Sequence, residues 1–373
     1  YAFVFGFGAA RAAVAGIVLG GYQSVSTGMG NSVIIPAFVV VVLGGLGSFR
    51  GAVFGGLLVG VVQTMMRVYN GTTLFELGGF ALTIPNLQGL TVFLLMIGVL
   101  LVKPQGLFGT RGDESEGGEG EILVGSSGGL LTDSTRTKLG ILFIAAMIVL
   151  PILLLFTGSR YYVLVMNNIL IWAIFALSLD VVMGYAGLVP LGHTMFYGVG
   201  AYTSALVMLH FTSSFVVAIA AAILICAVIA WIVGSLSIRV SGVYFAMITL
   251  AFAELFYNAV FRLGFTGGSD GLLGFEPTMG IAGLGVPLSE ISFAFMGYEI
   301  EQQIIFYYIG LLLAVLAFLF ARRVMNAPFG SVIQSIRESE ERAEFVGYTT
   351  VQYKRRAFAL SGWIAGLAGG LLA

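Results

Sequence analysis

Few residues in this sequence can carry chemistry, and most of them sit in apolar surroundings. Glu254 lies near the middle of an apolar run at 241–263, with Asn258 one helical turn later on the same face. At mid-bilayer depth an ionisable group costs at least ~2.5 kcal/mol, so it should face the protein interior or a water-filled path. His193 and Thr194 follow the interruption Gly184-Tyr185-Ala186-Gly187-Leu188-Val189-Pro190. A helix broken there offers backbone groups to a small polar solute. Asp180 stands just before that break, near the end of its own apolar run. Glu254, Asn258, His193, Thr194 and Asp180 are therefore the candidates for a substrate path. For Glu254 and His193 the competing reading is structural, with hydrogen bonds to neighbouring helices, and the residues alone weigh the two evenly.

Other chemistries lack their residues. His193 and His210 have no Cys or carboxylate at metal-ligand spacing. Ser, His and Asp occur, but not in a nucleophile elbow, so the chain is not read as an enzyme. Thr266-Gly-Gly-Ser-Asp-Gly-Leu272 is glycine-rich but lacks the Lys-Ser/Thr of a phosphate loop, and none of Lys103, Lys138 and Lys354 follows a glycine. No cofactor is expected on this chain, and any ATP belongs to a partner subunit. A net charge of −1 without a basic, aromatic-laced stripe gives no reason to expect a nucleic-acid partner.

The elements that position these residues must be membrane helices. The composition is 58% hydrophobic and 9% charged, with a mean hydropathy of +1.02, which points to a polytopic membrane protein in the lipid bilayer. The single Cys226 excludes an internal disulfide. Spans are read at about 2–22, 32–49, 51–70, 88–103, 139–157, 161–183, 193–211, 214–236, 241–263 and 304–325, with a last one starting near 356. The fold class is all-α, a transmembrane helical bundle.

One charged island, the loop at 326–350, breaks the apolar pattern. Arg322 and Arg323 close the span before it, and Lys354, Arg355 and Arg356 open the next. Basic shoulders place this loop in the cytoplasm, and the resulting topology puts all but Arg11, Arg67, Arg160 and Arg262 of the 17 basic residues at inner loops or inner span ends. Within it, Pro328 and Gly330 break the chain and Ser331 is read as the N-cap of a helix running to about Phe345. Val332, Ile333, Ile336, Ala343 and Val346 give an apolar stripe, while Arg337, Glu338, Glu340, Glu341 and Glu344 are expected to stay solvated. Gly347 suits the stop. Such a helix can dock into a groove on a soluble partner; as a pattern, a solvated connector is the commoner case.

Two further features describe the organisation. Gly47, Gly51 and Gly55, and likewise Ala52, Gly56 and Gly60, recur every four residues, which predicts close helix packing near 51–70. Residues 110–137 form an acidic Gly/Ser-rich cytoplasmic linker, unable to bury a core, between blocks 1–109 and 138–373. The start of the chain aligns with its end at an offset of 353, pairing Phe5 with Phe358, Ala12 with Ala365 and Gly16 with Gly369.

Several stretches together resemble the membrane permease subunits of branched-chain amino-acid ABC importers, two related permeases joined head to tail. Val42-Leu-Gly-Gly-Leu-Gly-Ser-Phe-Arg-Gly-Ala52 and Lys103-Pro-Gln-Gly-Leu-Phe-Gly109 look like the closing half of the first permease. Gly184-Tyr-Ala-Gly187, Leu191-Gly-His-Thr-Met-Phe-Tyr-Gly-Val-Gly-Ala-Tyr202 and Thr249-Leu-Ala-Phe-Ala-Glu254 look like the second. Pro328-Phe329-Gly330, Ile336-Arg337-Glu338-Ser339-Glu340 and Ala343-Glu344 to Gly347 are similar to that family's coupling segment. Asp180 stands where the family would have an uncharged amide, and Val189-Pro190 where it has a more polar pair.

The resemblance implies an ATP-driven importer permease in the cell membrane. Its partners would be two cytoplasmic ATPase subunits, which use the ATP, and an extracytoplasmic solute-binding protein. Pro328, Phe329, Gly330, Ile333, Ile336, Arg337, Glu338, Glu340, Ala343, Glu344 and Gly347 would be its ATPase-coupling residues. Urea or short-chain amides are the alternative cargo, and an ion-coupled transporter using Glu254 is the alternative class. The head-to-tail reading also carries the expectation that the sequence is an excerpt, with a second coupling helix upstream of Tyr1.

Overall fold

The computed structural model describes residues 2–21, 29–46, 48–68, 73–77, 80–83, 88–109, 145–151, 160–262, 264–268, 270–272, 278–279, 286–287, 293–295, 298–300 and 302–373. The acidic linker at 110–137 lies outside them, as do Gly47, Ser269 and most of the span read at 139–157. Helices α1 (Ala2–Gly20), α2 (Met29–Gly44), α3 (Phe49–Val68) and α4 (Gln88–Val102) make the first block. A helical piece, α5, covers 145–151. The second block holds α6 (Arg160–Asp180), α7 (Thr194–His210), α8 (Phe215–Ser237), α9 (Gly242–Arg262), α10 (Gln302–Met325), α11 (Pro328–Glu338), α12 (Glu340–Phe345) and α13 (Thr350–Leu372). Tyr161–Tyr185, Phe215–Ser237, Gly242–Arg262 and Gln303–Met325 are each long and apolar enough to cross a membrane.

The architecture is a helical membrane bundle, as read from the sequence. Three antiparallel pairs in the connections were not foreseen: β1 (Thr73–Leu77) with β2 (Phe80–Thr83), β3 (Thr278–Met279) with β4 (Val286–Pro287), and β5 (Phe293–Phe295) with β6 (Tyr298–Ile300). At two to five residues per strand they leave the helical class unchanged.

The core of the second block is built on α13. Its Phe358, Ile364, Ala365 and Ala368 are buried, and its small residues admit neighbouring backbones. A Cβ on Gly369 would lie 2.0 Å from the Tyr197 carbonyl oxygen of α7, and one on Gly366 would lie 2.6 Å from Cys226 Cβ of α8. Such approach lets backbones exchange dispersion contacts where lipid supplies no hydrophobic drive between helices. The same device joins α2 to α3, as the glycine spacing predicts: Cβ atoms on Gly51 and Gly55 would meet Gly44 O at 2.1 Å and Val40 O at 2.8 Å. The neighbouring row is looser, and nothing lies within 4 Å of Gly60. Met96 and Leu100 of α4 join the two blocks in one core with residues of α9.

The start of the last span needs correction. It begins at Thr350, not near 356, so Lys354, Arg355 and Arg356 lie inside its first two turns. Long basic side chains tolerate this by reaching outward or across a ring. The Arg355 guanidinium sits 4.2 Å above the Trp231 ring centre, and Lys354 pairs with Glu340.

Candidate functional site

The break that the sequence places after Asp180 is real, and it starts as a π-helical turn. Val181–Tyr185 continues α6 with the wider winding, and the Leu188 N–H then reaches back 3.0 Å to Val182 O. Gly187 has φ +69°, a left-handed conformation that favours glycine. Gly192 closes the break against α9: a Cβ there would lie 1.8 Å from Thr249 O, and its N–H points at Thr249 Oγ1, 3.4 Å away. Asp180 is exposed, with its carboxylate folded over Gly184.

His193 is buried at 2% exposure, within ring contact of Phe175, Phe196 and Phe358. Its Nε2 lies 3.0 Å from Ser178 Oγ and 3.1 Å from Ser361 Oγ. Each hydroxyl has one proton and already donates it, Ser178 to Phe175 O at 2.5 Å and Ser361 to Ser178 O at 2.6 Å. The imidazole must therefore supply the hydrogen, so Nε2 carries the proton and both hydroxyls accept it. Nδ1 is then a bare acceptor, buried with no partner among the described residues. This node ties α6, the start of α7 and α13 together.

Glu254 is only half buried, and its carboxylate has no partner among the described residues. Asn258 spends its amide on the α9 backbone, donating to Glu254 O at 2.8 Å. Between α7 and α9 lies a cleft of about 260 Å³, whose walls include Thr194, Gly198, Tyr202, Phe256, Tyr257 and Phe261. Of the path candidates only Thr194 lines it. The five candidates thus divide into Thr194 at the cleft, Glu254 and Asn258 beside it on α9, Asp180 at the break's edge and His193 inside the helix junction.

The charged island folds as two helices, a correction to the single helix read from Ser331. Pro328 occupies the first turn of α11, where its missing N–H is no loss, and the N-cap position is Ala327. Ser339 then ends α11 and caps α12, its Oγ accepting from Arg342 N at 3.3 Å. Gly347 at φ +98° provides the stop, with Tyr348 N–H to Ala343 O at 3.1 Å and Gly347 N–H to Glu344 O at 2.8 Å. Gly330 fits where a Cβ would lie 1.9 Å from Met325 O.

The apolar stripe also faces differently from its reading as a docking surface. Ile333, Ile336 and Ala343 are buried in a cluster with Ala186 of the break and Ala357 of α13, and Phe329 stacks on Tyr353 at 5.8 Å. Val346 leaves the stripe and is 76% exposed, beside Phe345 at 84%. Three of the charges expected in solvent have partners in this chain. Glu340 meets Lys354 Nζ at 2.5 Å, Glu344 accepts from Thr350 Oγ1 at 2.8 Å, and Arg337 donates to Gly184 O of the π turn. Glu338 and Glu341 are exposed as expected.

Sequence reading missed Ser178 and Ser361, and quoted Thr249 only within a longer stretch without a role of its own. Each is a small hydroxyl inside an apolar helix, with no spacing pattern to mark it. Each could have been found only by pairing with a break residue, since Ser361 is 183 positions from its carbonyl partner.

A family model described as the branched-chain amino acid transport system / permease component matches residues 1–102 and 161–373. The high-affinity branched-chain amino acid transport system permease protein LivM of Escherichia coli (strain K12) is 31% identical over 245 residues, covering 62% of this chain and 57% of that protein. LivH of Salmonella typhimurium and BraD of Pseudomonas aeruginosa, which carry the same description, are each 38% identical over 109 residues, 29% of this chain and 31% of those proteins. The chain therefore spans well under two thirds of the length of these relatives. No solved structure matches it.

Proposed function

From the premise that this chain belongs to the family of branched-chain amino-acid transport permease components, we propose that it is the membrane part of an ATP-driven importer for branched-chain amino acids. Two ATPase subunits in the cytoplasm would supply the work. A solute-binding protein on the other side would deliver the cargo. The observation that carries this reading is the seat of α11 and α12, packed through Ile333, Ile336 and Ala343 onto Ala186 in the broken segment. A segment outside the apolar spans is thereby joined to a break inside them, as mechanical coupling requires.

With the apolar stripe spent internally, the surface left for an ATPase is the exposed tip of Phe345, Val346 and Tyr348, with Glu341 and Arg342 beside it. The path is proposed along α9 and the start of α7, at Glu254 and Thr194. The two matched segments, 1–102 and 161–373, support the reading of two permease halves in one chain around the linker at 110–137.

Reconstitution tests the whole reading. The full-length protein with its ATPases and binding protein, in proteoliposomes loaded with ATP, should take up leucine, isoleucine or valine. Uptake of urea or acetamide in their place would reassign the cargo. Uptake driven by a proton gradient without ATP would move the protein to the ion-coupled class, with Glu254 as carrier.

A further inference from the structure

We infer that Arg337 is a positioning residue that latches the coupling segment to the break in the sixth helix, rather than a contact for the ATPase. The inference rests on the coupling role proposed above. Arg337 stands in the last turn of α11, and its Nη1 donates to Gly184 O. The last carbonyls of a helix have no intrahelical donor, so Gly184, next to the end of the π turn, offers an acceptor that a cation satisfies well. The stem of Arg337 lies along Gly187, where a Cβ would come within 2.8 Å of Arg337 Cγ. On the same helix Ile333, one turn earlier, and the adjacent Ile336 are buried with Ala186. Residues 184–187 are thus held from below by a cation, an alkyl stem and two apolar side chains.

The far end of the break is held equally tightly. Gly192 abuts Thr249 O so closely that no side chain fits, and Thr249 precedes Glu254 by five residues on α9. The break is consequently clamped between α11 and α9, and a shift of α11 must displace it or break the Arg337 contact. Apolar contacts alone would let α11 slide, whereas the guanidinium fixes its register along the break. Lysine has one ammonium in place of the fork and would fix it less well.

The test uses Arg337→Ala and Arg337→Lys in the full-length protein with its ATPases and binding protein. For Arg337→Ala, uptake should fall about tenfold or more, and loaded binding protein should lose its stimulation of ATP hydrolysis, while the ATPases still co-purify. Amide hydrogen exchange at 181–188 should accelerate about tenfold, and Arg337→Lys should recover part of both effects. Loss of ATPase co-purification would make Arg337 a docking contact and overturn the inference, as would unchanged exchange at 181–188 or unchanged uptake. If the unaltered protein transports none of the solutes named above, the functional reading fails separately, and the exchange measurement still decides whether the latch exists.

Discussion

His193 and Glu254 are both polar groups carried by apolar helices, and the sequence alone ranks them evenly as path residues. Their surroundings differ in kind. His193 is enclosed by three aromatic rings, and its one N–H is shared by two hydroxyls whose own protons are committed to backbone carbonyls. Glu254 is half buried beside a cleft, and among the described residues nothing answers its carboxylate. The His193 N–H is answered within the chain and only Nδ1 is left without a partner among the described residues, so we read His193 as structural; the Glu254 carboxylate, with neither oxygen answered, we propose for the path. Burial already separates the two, 2% exposure against half burial, and the account of donors and acceptors sharpens the difference.

That contrast is broken most directly by removing the imidazole. His193→Ala would open a cavity among Phe175, Phe196 and Phe358 and strip the shared donor from Ser178 and Ser361. Large-to-small changes in such packing cost about 3–5 kcal/mol. The variant should unfold at markedly lower temperature in detergent and accumulate poorly in the membrane. His193→Gln, which keeps a donor, should lie between it and the parent protein. A well-folded His193→Ala protein that no longer transports would reverse the assignment and put His193 on the path.

Much of this arrangement is legible in the sequence, and the rest fails for identifiable reasons. The apolar runs give the helices because lipid leaves the backbone no other partner. Gly51 and Gly55 announce a close approach through their spacing, and Gly347 announces a helix stop. The stripe of Ile333 and Ile336 is equally plain, but amphipathicity reports only that a face is covered. Here the cover is Ala186 and Ala357 of the same chain, not a partner. The node at His193 is invisible because Ser178 and Ser361 look like any serine in an apolar helix. Their meaning appears only when α13 is laid against α6.

Glu254→Gln sharpens the other side of the contrast with a smaller effect on the fold. The amide is nearly isosteric and removes a carboxylate that no described residue compensates, so stability should hold or rise by up to about 1 kcal/mol. Uptake should fall with expression and ATPase assembly retained, which a transport assay normalised to membrane protein would measure. Should the variant instead be lost from the membrane, Glu254 has a structural partner and the two sites are alike. Full uptake at normal affinity would take Glu254 out of the mechanism.

The smallest effect is expected at a third polar contact, which lies at the start of the last span and supplies the scale for the other two. Glu340 and Lys354 pair at 2.5 Å, with side chains 44% and 14% exposed. Water and salt screen such a pair, and comparable surface ion pairs contribute about 0.2–1 kcal/mol. Glu340→Gln should therefore lower stability by less than about 1 kcal/mol, and the loss should shrink further as salt is raised. Glu340→Arg replaces attraction by repulsion towards Lys354 and should cost more at low salt, with the two variants converging at high salt. Thermal unfolding of both across a salt series reads this out. A loss above about 2 kcal/mol that persists at high salt would mean that the α12–α13 contact is as built-in as the His193 node. Exposure would then no longer distinguish a surface pairing from the interior one, and the donor count at His193 would be the sole ground for calling it structural.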